Sequence, residues 1–318
     1  MDIEIARRAC RNILARIKCT EGEEVLVLFD EEKAALAEVM REQALAIGSH
    51  PYALRLPPPA EGKYAGWLTR LLSVIVRSEF VVVLLGRAMF KARGIMEVIG
   101  RPDKGIGEVS SRFFCDWAIS PDSLIRLYSA DPGQVERYGD TLLRELGKGK
   151  QVRVTTDAGT DVTLQTTHWL SGDGEVFTPP VPGSAIGVVV FDASVYWTRP
   201  ESQIKVTLEA GRIMAVDCAL PASEQYQMFL ADSKKDEGAS VLAEFGIGVN
   251  PNADPHGDIM EAEQAQGTCH FGFGNNIPFG GSNASCIHYD AVMGRPTISA
   301  NGHVIMSKGK LVSREDEL

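Results

Sequence analysis

The apolar pattern of this chain changes character once, near Gly147-Lys148-Gly149-Lys150, and that change limits the fold to two dissimilar halves. Before it, helical and strand periods alternate. Residues 3–17 repeat apolar positions with a helical period, Glu24-Val25-Leu26-Val27-Leu28-Phe29 reads as a buried strand, and 31–47 is rich in strong helix formers. A strand at 52–56, a helix around 63–77 and a strand at 80–85 continue the alternation. Strands separated by helices imply βαβ units and a largely parallel sheet. After the change come short strands at 151–156, 161–166, 187–193, 203–208 and 212–218, the last two joined by a hairpin turn at Ala210-Gly211. One helix is expected at 222–235, and a meander at 296–300, 303–306 and 310–312 closes the chain around Asn301-Gly302. The expectation is an α/β N-terminal domain over 1–149 plus a β-rich α+β C-terminal domain over 150–318.

Bulk properties exclude several function classes. The 318 residues suffice for two domains of ordinary size. The net charge is −10, and no basic run exceeds Lys148-Gly149-Lys150 or Lys234-Lys235, so no nucleic-acid surface is expected. The apolar run Phe80-Val81-Val82-Val83-Leu84-Leu85 is too short to span a bilayer, and no membrane partner is expected. The first residues read as an amphipathic helix of mixed charge, not a signal peptide. Cysteines 10, 19, 115, 218, 269 and 286 form no CxxC pair, which fits free thiols and a cytoplasmic location. Glu315-Asp316-Glu317-Leu318 reads as a solvated acidic end. No GxGxxG or Walker sequence follows a strand, and Asp30 is expected to cap the helix after the first strand.

Two strand-like runs near the C-terminus carry the chemistry: Thr268-Cys269-His270-Phe271-Gly272-Phe273-Gly274, and Ser285-Cys286-Ile287-His288-Tyr289-Asp290. Residues two apart in a strand share a face. His288 and Asp290 therefore point together, away from Tyr289, and His270 shares its face with Gly272 and Gly274. Two imidazoles and a carboxylate beside open space suit a metal site or a proton-transfer site. Cys269 points away from His270. Cys286 points with His288, either as a buried small residue or as a ligand or nucleophile. Two more carboxylates stand in distinctive settings. Glu175 opens Gly174-Glu175-Val176-Phe177-Thr178-Pro179-Pro180, and Glu244 begins an apolar, glycine-spaced strand where burial is costly unless something pairs with it.

Taken together, GTDVTL (159–164 with its leading glycine), GEVFTPP, AEFGIGVNP, the Glu263-to-His270 segment with the GFG after it, and IHYD resemble the aminopeptidase T / aminopeptidase S family of dinuclear metallopeptidases. The resemblance covers the C-terminal half in the family's order. It implies metal ligands at Glu175, Glu244, His270, His288 and Asp290, and a homodimer. Glu263 falls where the family has another acidic residue. It is the candidate catalytic carboxylate, able to move a proton to a leaving amine, with a supporting or helix-end charge as the other readings. There are departures: Asn275-Asn276-Ile277-Pro278 holds no tyrosine where the peptidases have one, and the segment between Glu244 and His270 is shorter.

The implied reaction is cleavage of a peptide or small amide bond in a small-molecule or short peptide substrate by a metal-bound hydroxide. Three carboxylates and two neutral imidazoles leave one divalent ion short of charge balance. Two ions (zinc, cobalt or manganese) leave one positive charge that suits a hydroxide. The strongest competing reading is a mononuclear non-haem ring-cleaving dioxygenase. His270, His288 and Asp290 would then hold one Fe(II), with Glu175 and Glu244 contacting either the substrate or the ligands, and a pyridine-ring dioxygenase is similar to the aminopeptidase T fold. A non-catalytic small-molecule-binding relative is the third reading. The acidic stretch from Asp254 to Glu263 reads either as a solvated face or as an attractor for a substrate ammonium.

Overall fold

Uninterrupted apolar runs make strands buried on both faces, and the N-terminal part of the chain is organised by two of them. The computed structural model describes residues 2–56, 78–86, 112–115, 119–147, 151–172 and 174–312. The chain divides into two units, Met1–Ser129 and Ala130–Leu318. The first unit contains α1 (Ile3–Arg16), β1 (Glu24–Phe29), α2 (Ala34–Ile47), β2 (His50–Arg55), β3 (Phe80–Leu84), β4 (Arg112–Cys115) and α3 (Pro121–Ser129). Its sheet is parallel, in the order β2-β1-β3-β4. Asp2 caps α1 by accepting from the Glu4 amide at 3.0 Å, and the stripe Ala6, Ala9, Cys10, Ile13 and Leu14 is buried. Asp30 accepts from the Lys33 amide at the start of α2, at 3.3 Å, and also from the Gly86 amide beyond β3, at 2.7 Å. The helix expected around 63–77 lies outside the described residues, as do the Lys148–Lys150 run and the acidic end.

The second unit begins with α4 (Pro132–Leu146). The domain boundary expected at 149/150 falls later than the observed division, because α4 buries Leu142 and Leu146 in the second unit's core. Then follow β5 (Gln151–Thr155), β6 (Asp161–Gln165), β7 (Leu170–Gly172), β8 (Glu175–Thr178), β9 (Ile186–Phe191), β10 (Ser194–Val195), β11 (Ile204–Glu209), β12 (Arg212–Cys218), α5 (Glu224–Asp232), β13 (Leu242–Gly248), α6 (Ile259–Ala262), β14 (Thr268–Gly274), β15 (His288–Gly294), β16 (Thr297–Ala300), β17 (His303–Ser307) and β18 (Lys310–Leu311). They form two antiparallel sheets. One has the order β10-β15-β14-β13-β8-β7, and the other β12-β11-β9-β6-β5-β16-β17-β18.

The core lies between them. Val176, Phe245, Ile247, Cys269, Phe271, Phe273, Tyr289, Ala291 and Met293 from the six-stranded sheet meet Val152, Val154, Val162, Leu164, Val189, Phe191, Ile204 and Val206 from the eight-stranded one. Strand alternation therefore commits the opposite face of the six-stranded sheet to something other than the core. The architecture is the α/β plus β-rich arrangement the sequence implied. All six cysteines are free, and among the described residues no helix is long and apolar enough to cross a membrane.

Candidate metal centre

Adjacent strands of the six-stranded sheet bring the candidate ligands together on the face away from the core. β8 contributes Glu175, β13 Glu244, β14 His270, and β15 His288 and Asp290. Cross-strand register explains how so many large groups fit. Glu175 lies opposite Gly248, His270 opposite Gly246, His288 opposite Gly274, and Gly272 lies opposite both Asp290 and Glu244. A methyl on Gly246 would meet His270 Nε2 at 2.1 Å, and one on Gly272 would meet Asp290 Oδ1 at 2.3 Å. The glycines are the room in which the ligand side chains lie.

Glu244 reaches this face through an irregularity. Leu242 pairs with Phe273 and Glu244 with Gly272, so the register shifts at Ala243. That bulge lets Leu242 join the core while Glu244 faces the ligands, although strict alternation puts the two on one side. The carbonyl of Ala243 accepts from Asn276 Nδ2 at 3.2 Å, so the buried bulge keeps a partner.

The side chains form two ligand groups with donor atoms within 4.8 Å of one another: Glu175, Glu244 and His270, and Glu244, His288 and Asp290. Glu244 belongs to both. His270 Nε2 lies 3.2 Å from Glu175 Oε2 and 3.5 Å from Glu244 Oε1. His288 Nε2 lies 3.3 Å from Glu244 Oε2 and 3.2 Å from Asp290 Oδ1. His270 stands in the first group and His288 and Asp290 in the second, joined through Glu244, and each group has one imidazole and two carboxylates.

The two groups differ in access and support. His270 and Glu244 side chains are 1% and 6% exposed, whereas His288 and Asp290 are 24% and 17% exposed, so the site opens on the His288 side. His288 Nδ1 is 2.8 Å from the Asn275 carbonyl. A carbonyl only accepts, so Nδ1 donates its proton there, and Nε2, which faces the carboxylates, is the nitrogen that can bind a metal once it gives up its own proton. Among the described residues His270 Nδ1 is buried without a hydrogen-bond partner, and the buried Glu175 Oε2 faces the His270 ring at 3.2 Å.

Electrostatics shows that the cluster favours positive charge. Burial would lower the His288 imidazole, but Asp290 and Glu244 outweigh it and raise it to about 11. Burial likewise opposes charge on His270, yet Glu175 and Glu244 raise it well above its ordinary value. Burial pushes Glu175 up to about 7. Burial, then the charges of Glu175 and Asp290, raises Glu263 well above the usual carboxylate range. Glu263 is 8% exposed and follows α6, so it joins the cluster electrostatically rather than lying on a surface.

Two expectations need correction. Cys286 is exposed, and its amide donates to Asp236 Oδ2 at 2.6 Å, so it is neither a buried residue nor part of a ligand group. The stretch from Asp254 to Glu263 is not a solvated face: Asp258 and Glu261 are buried, and Glu261 Oε1 accepts from the Asp254 amide at 2.9 Å. Tyr289 does point away from His288, with its hydroxyl donating to the Ala239 carbonyl at 3.0 Å. Clefts of about 780 Å³ around Arg199 and Asp217 and about 580 Å³ around His256 and Arg295 contain none of the six candidate residues. The chemistry locates the site here, because among the described residues both groups of three candidate ligands lie in this cluster and their charges are perturbed.

A family model described as NicX, 2,5-dihydroxypyridine 5,6-dioxygenase, matches residues 6–313. Among solved structures the chain is similar to a 2,5-dihydroxypyridine dioxygenase from Pseudomonas putida KT2440, at 17% identity and TM-score 0.70 over 100% of both chains. It is also similar to wild-type AmpT from Thermus thermophilus, at 16% identity and TM-score 0.62, over 98% of this chain and 100% of that one. At these identities the likenesses show the shared fold. No curated protein matches. The expectation of a hydrolase, aminopeptidase or metalloprotease is overturned by the family match. The metallopeptidase resemblance reflects the common fold and a carboxylate-rich site. Over nearly its whole length, the chain belongs to the NicX family of 2,5-dihydroxypyridine 5,6-dioxygenases.

Proposed function

We propose that the chain is an iron-dependent dioxygenase that opens a hydroxylated, pyridine-type aromatic ring. The observation that carries this reading is the family match over residues 6–313. The donor set fits. Oxygen and imidazole ligands suit Fe(II), and donor atoms about 3 Å apart are what metal bonds of roughly 2.1 Å at right angles require. The separations of 3.2 and 3.3 Å around His288 Nε2 meet that condition.

In this reading Glu244, His288 and Asp290 hold one Fe(II), and their two carboxylates balance its charge. A bound ferrous ion with open positions supplies the electron transfer that lets molecular oxygen react with an aromatic ring. The chain's own residues orient and move protons. Asn275 holds the His288 ring, Gly272 leaves Asp290 its place, and Glu175 exchanges a proton with His270 across 3.2 Å. Glu263, kept toward its neutral form, is the candidate proton carrier to the ring. The second group, Glu175, Glu244 and His270, is the observation that favours a further ion, so metal count is part of the test.

The test is anaerobic purification, loading with Fe(II), elemental analysis and oxygen uptake with 2,5-dihydroxypyridine. The expected result is about one iron per chain, one oxygen molecule consumed per ring and loss of the ring's ultraviolet absorbance. An iron-loaded, folded chain that consumes no oxygen with any hydroxylated pyridine or benzene overturns the reading.

A further inference from the structure

The loop after β14 places an aromatic side chain directly against a candidate ligand. Phe279 lies in the short turn Ile277–Phe279, with its ring centroid 5.2 Å from that of His288 at an interplanar angle of 77°. On its other side it meets Phe177 edge-on, at 5.5 Å and 79°. Phe177 shares the face of β8 that carries Glu175. Both phenylalanines are half-buried, so ring surface stays uncovered beside the exposed side of the cluster. Both rings lie outside the core cluster between the sheets, on the side of the ligands.

The loop that carries Phe279 is held from several sides. His168 Nε2 lies 2.9 Å from the Phe279 carbonyl. Gly280 follows at φ +82°, a conformation that favours glycine, and a methyl there would meet His168 Cε1 at 3.0 Å. Asn276 donates to the Ala243 carbonyl, and its Oδ1 accepts from the Asn283 amide at 2.8 Å. One loop therefore sets the His288 tautomer through Asn275 and positions the Phe279 ring beside it.

Resting on the ring-cleaving reading, we propose that Phe279 and Phe177 form an aromatic wall that seats a planar aromatic substrate beside the Glu244, His288 and Asp290 group, with Phe279 as the principal positioning residue. Aromatic rings prefer offset-stacked or edge-to-face partners, and a flat ring extends the Phe177–Phe279 series. A saturated ring of the same size lacks both the flatness and the quadrupole.

The test compares wild type, Phe279→Leu and Phe279→Tyr. Calorimetric titration of the metal-free chain uses 2,5-dihydroxypyridine and the saturated 3-hydroxypiperidine, and iron-loaded chains give KM and kcat by oxygen uptake. Phe279→Leu should weaken dihydroxypyridine binding about tenfold and raise KM alike, with kcat retained within about threefold and piperidine binding unchanged. Phe279→Tyr should restore the wild-type values, and iron content should match in all three. Unchanged aromatic affinity in Phe279→Leu, or equal losses for both ligands, overturns the wall and leaves the dioxygenase reading standing. Ring binding that depends on Phe279 without oxygen uptake by the iron-loaded wild type supports the wall and sinks the dioxygenase reading.

Discussion

Replacing Gly272 with alanine tests whether the cross-strand glycines hold the site open. Gly272 lies opposite Asp290 on one strand and Glu244 on the other. The added methyl would stand 2.3 Å from Asp290 Oδ1 and 3.0 Å from both Glu244 Cβ and His288 Cε1. Contacts below 3.0 Å do not persist, so the Asp290 carboxylate must retreat by about 0.7 Å. Metal sites tolerate only about 0.2 Å in their bond lengths, so Asp290 should cease to be a ligand. Overpacking should destabilise the fold by about 1–3 kcal/mol. Loss of ligand geometry should weaken metal binding by at least about 10–100-fold, the cost of losing a supporting partner alone. The assay is competitive titration of Fe(II) or Co(II), with thermal melting in parallel. Gly172 supplies the control, because a methyl there meets nothing within 4 Å. If Gly272→Ala binds metal within about twofold of wild type, or Gly172→Ala loses as much, the glycine argument is refuted.

Four further outcomes follow from the same geometry. Asn276→Ala orphans the Ala243 carbonyl and the Asn283 amide; it should cost about 1–3 kcal/mol in melting experiments and weaken metal binding by loosening the bulge that aims Glu244. Cys286→Ser should leave metal content and oxygen uptake unchanged, since this exposed thiol lies outside both ligand groups, and a loss of metal would place it in the centre. Metal uptake should release protons from the raised imidazoles, so metal affinity should fall as pH falls; calorimetry in buffers of different ionisation heat counts the protons, and proton-neutral uptake contradicts the assignment. In chelated protein the His288 pKa, raised to about 11 from 6.5, contributes stability in full below 6.5 that is lost as pH rises through 11. Glu175, raised from 4.5 to about 7, acts in the same direction over that lower window, so the metal-free chain should melt lower at pH 9 than at pH 6.

The local chemistry of this protein was legible along the chain because strand alternation is a rule with period two. His288 and Asp290 share a face, His270 lies beside Gly272, and Tyr289 and Cys269 turn to the core, all as the spacing implied. Parallel strands in the first unit and antiparallel ones in the second follow equally from periodicity and turn residues. What needed the tertiary structure is where separate strands disagree with that rule or meet across the sheet. The bulge at Ala243 turns Glu244 away from the face of Leu242, and no spacing reveals a residue left unpaired by a distant partner. The division of the ligands into two groups sharing Glu244, and the tautomer set by the Asn275 carbonyl, depend on cross-strand register and on a backbone atom that every residue possesses. Phe279 carries no signal along the chain for a similar reason: its chemistry comes from its place beside His288, fixed by a loop tied to His168 and to the Ala243 carbonyl from elsewhere in the chain. The segments that resemble metallopeptidases encode ligand types, which one strand can carry; how several strands apportion those ligands is decided only by the folded sheet.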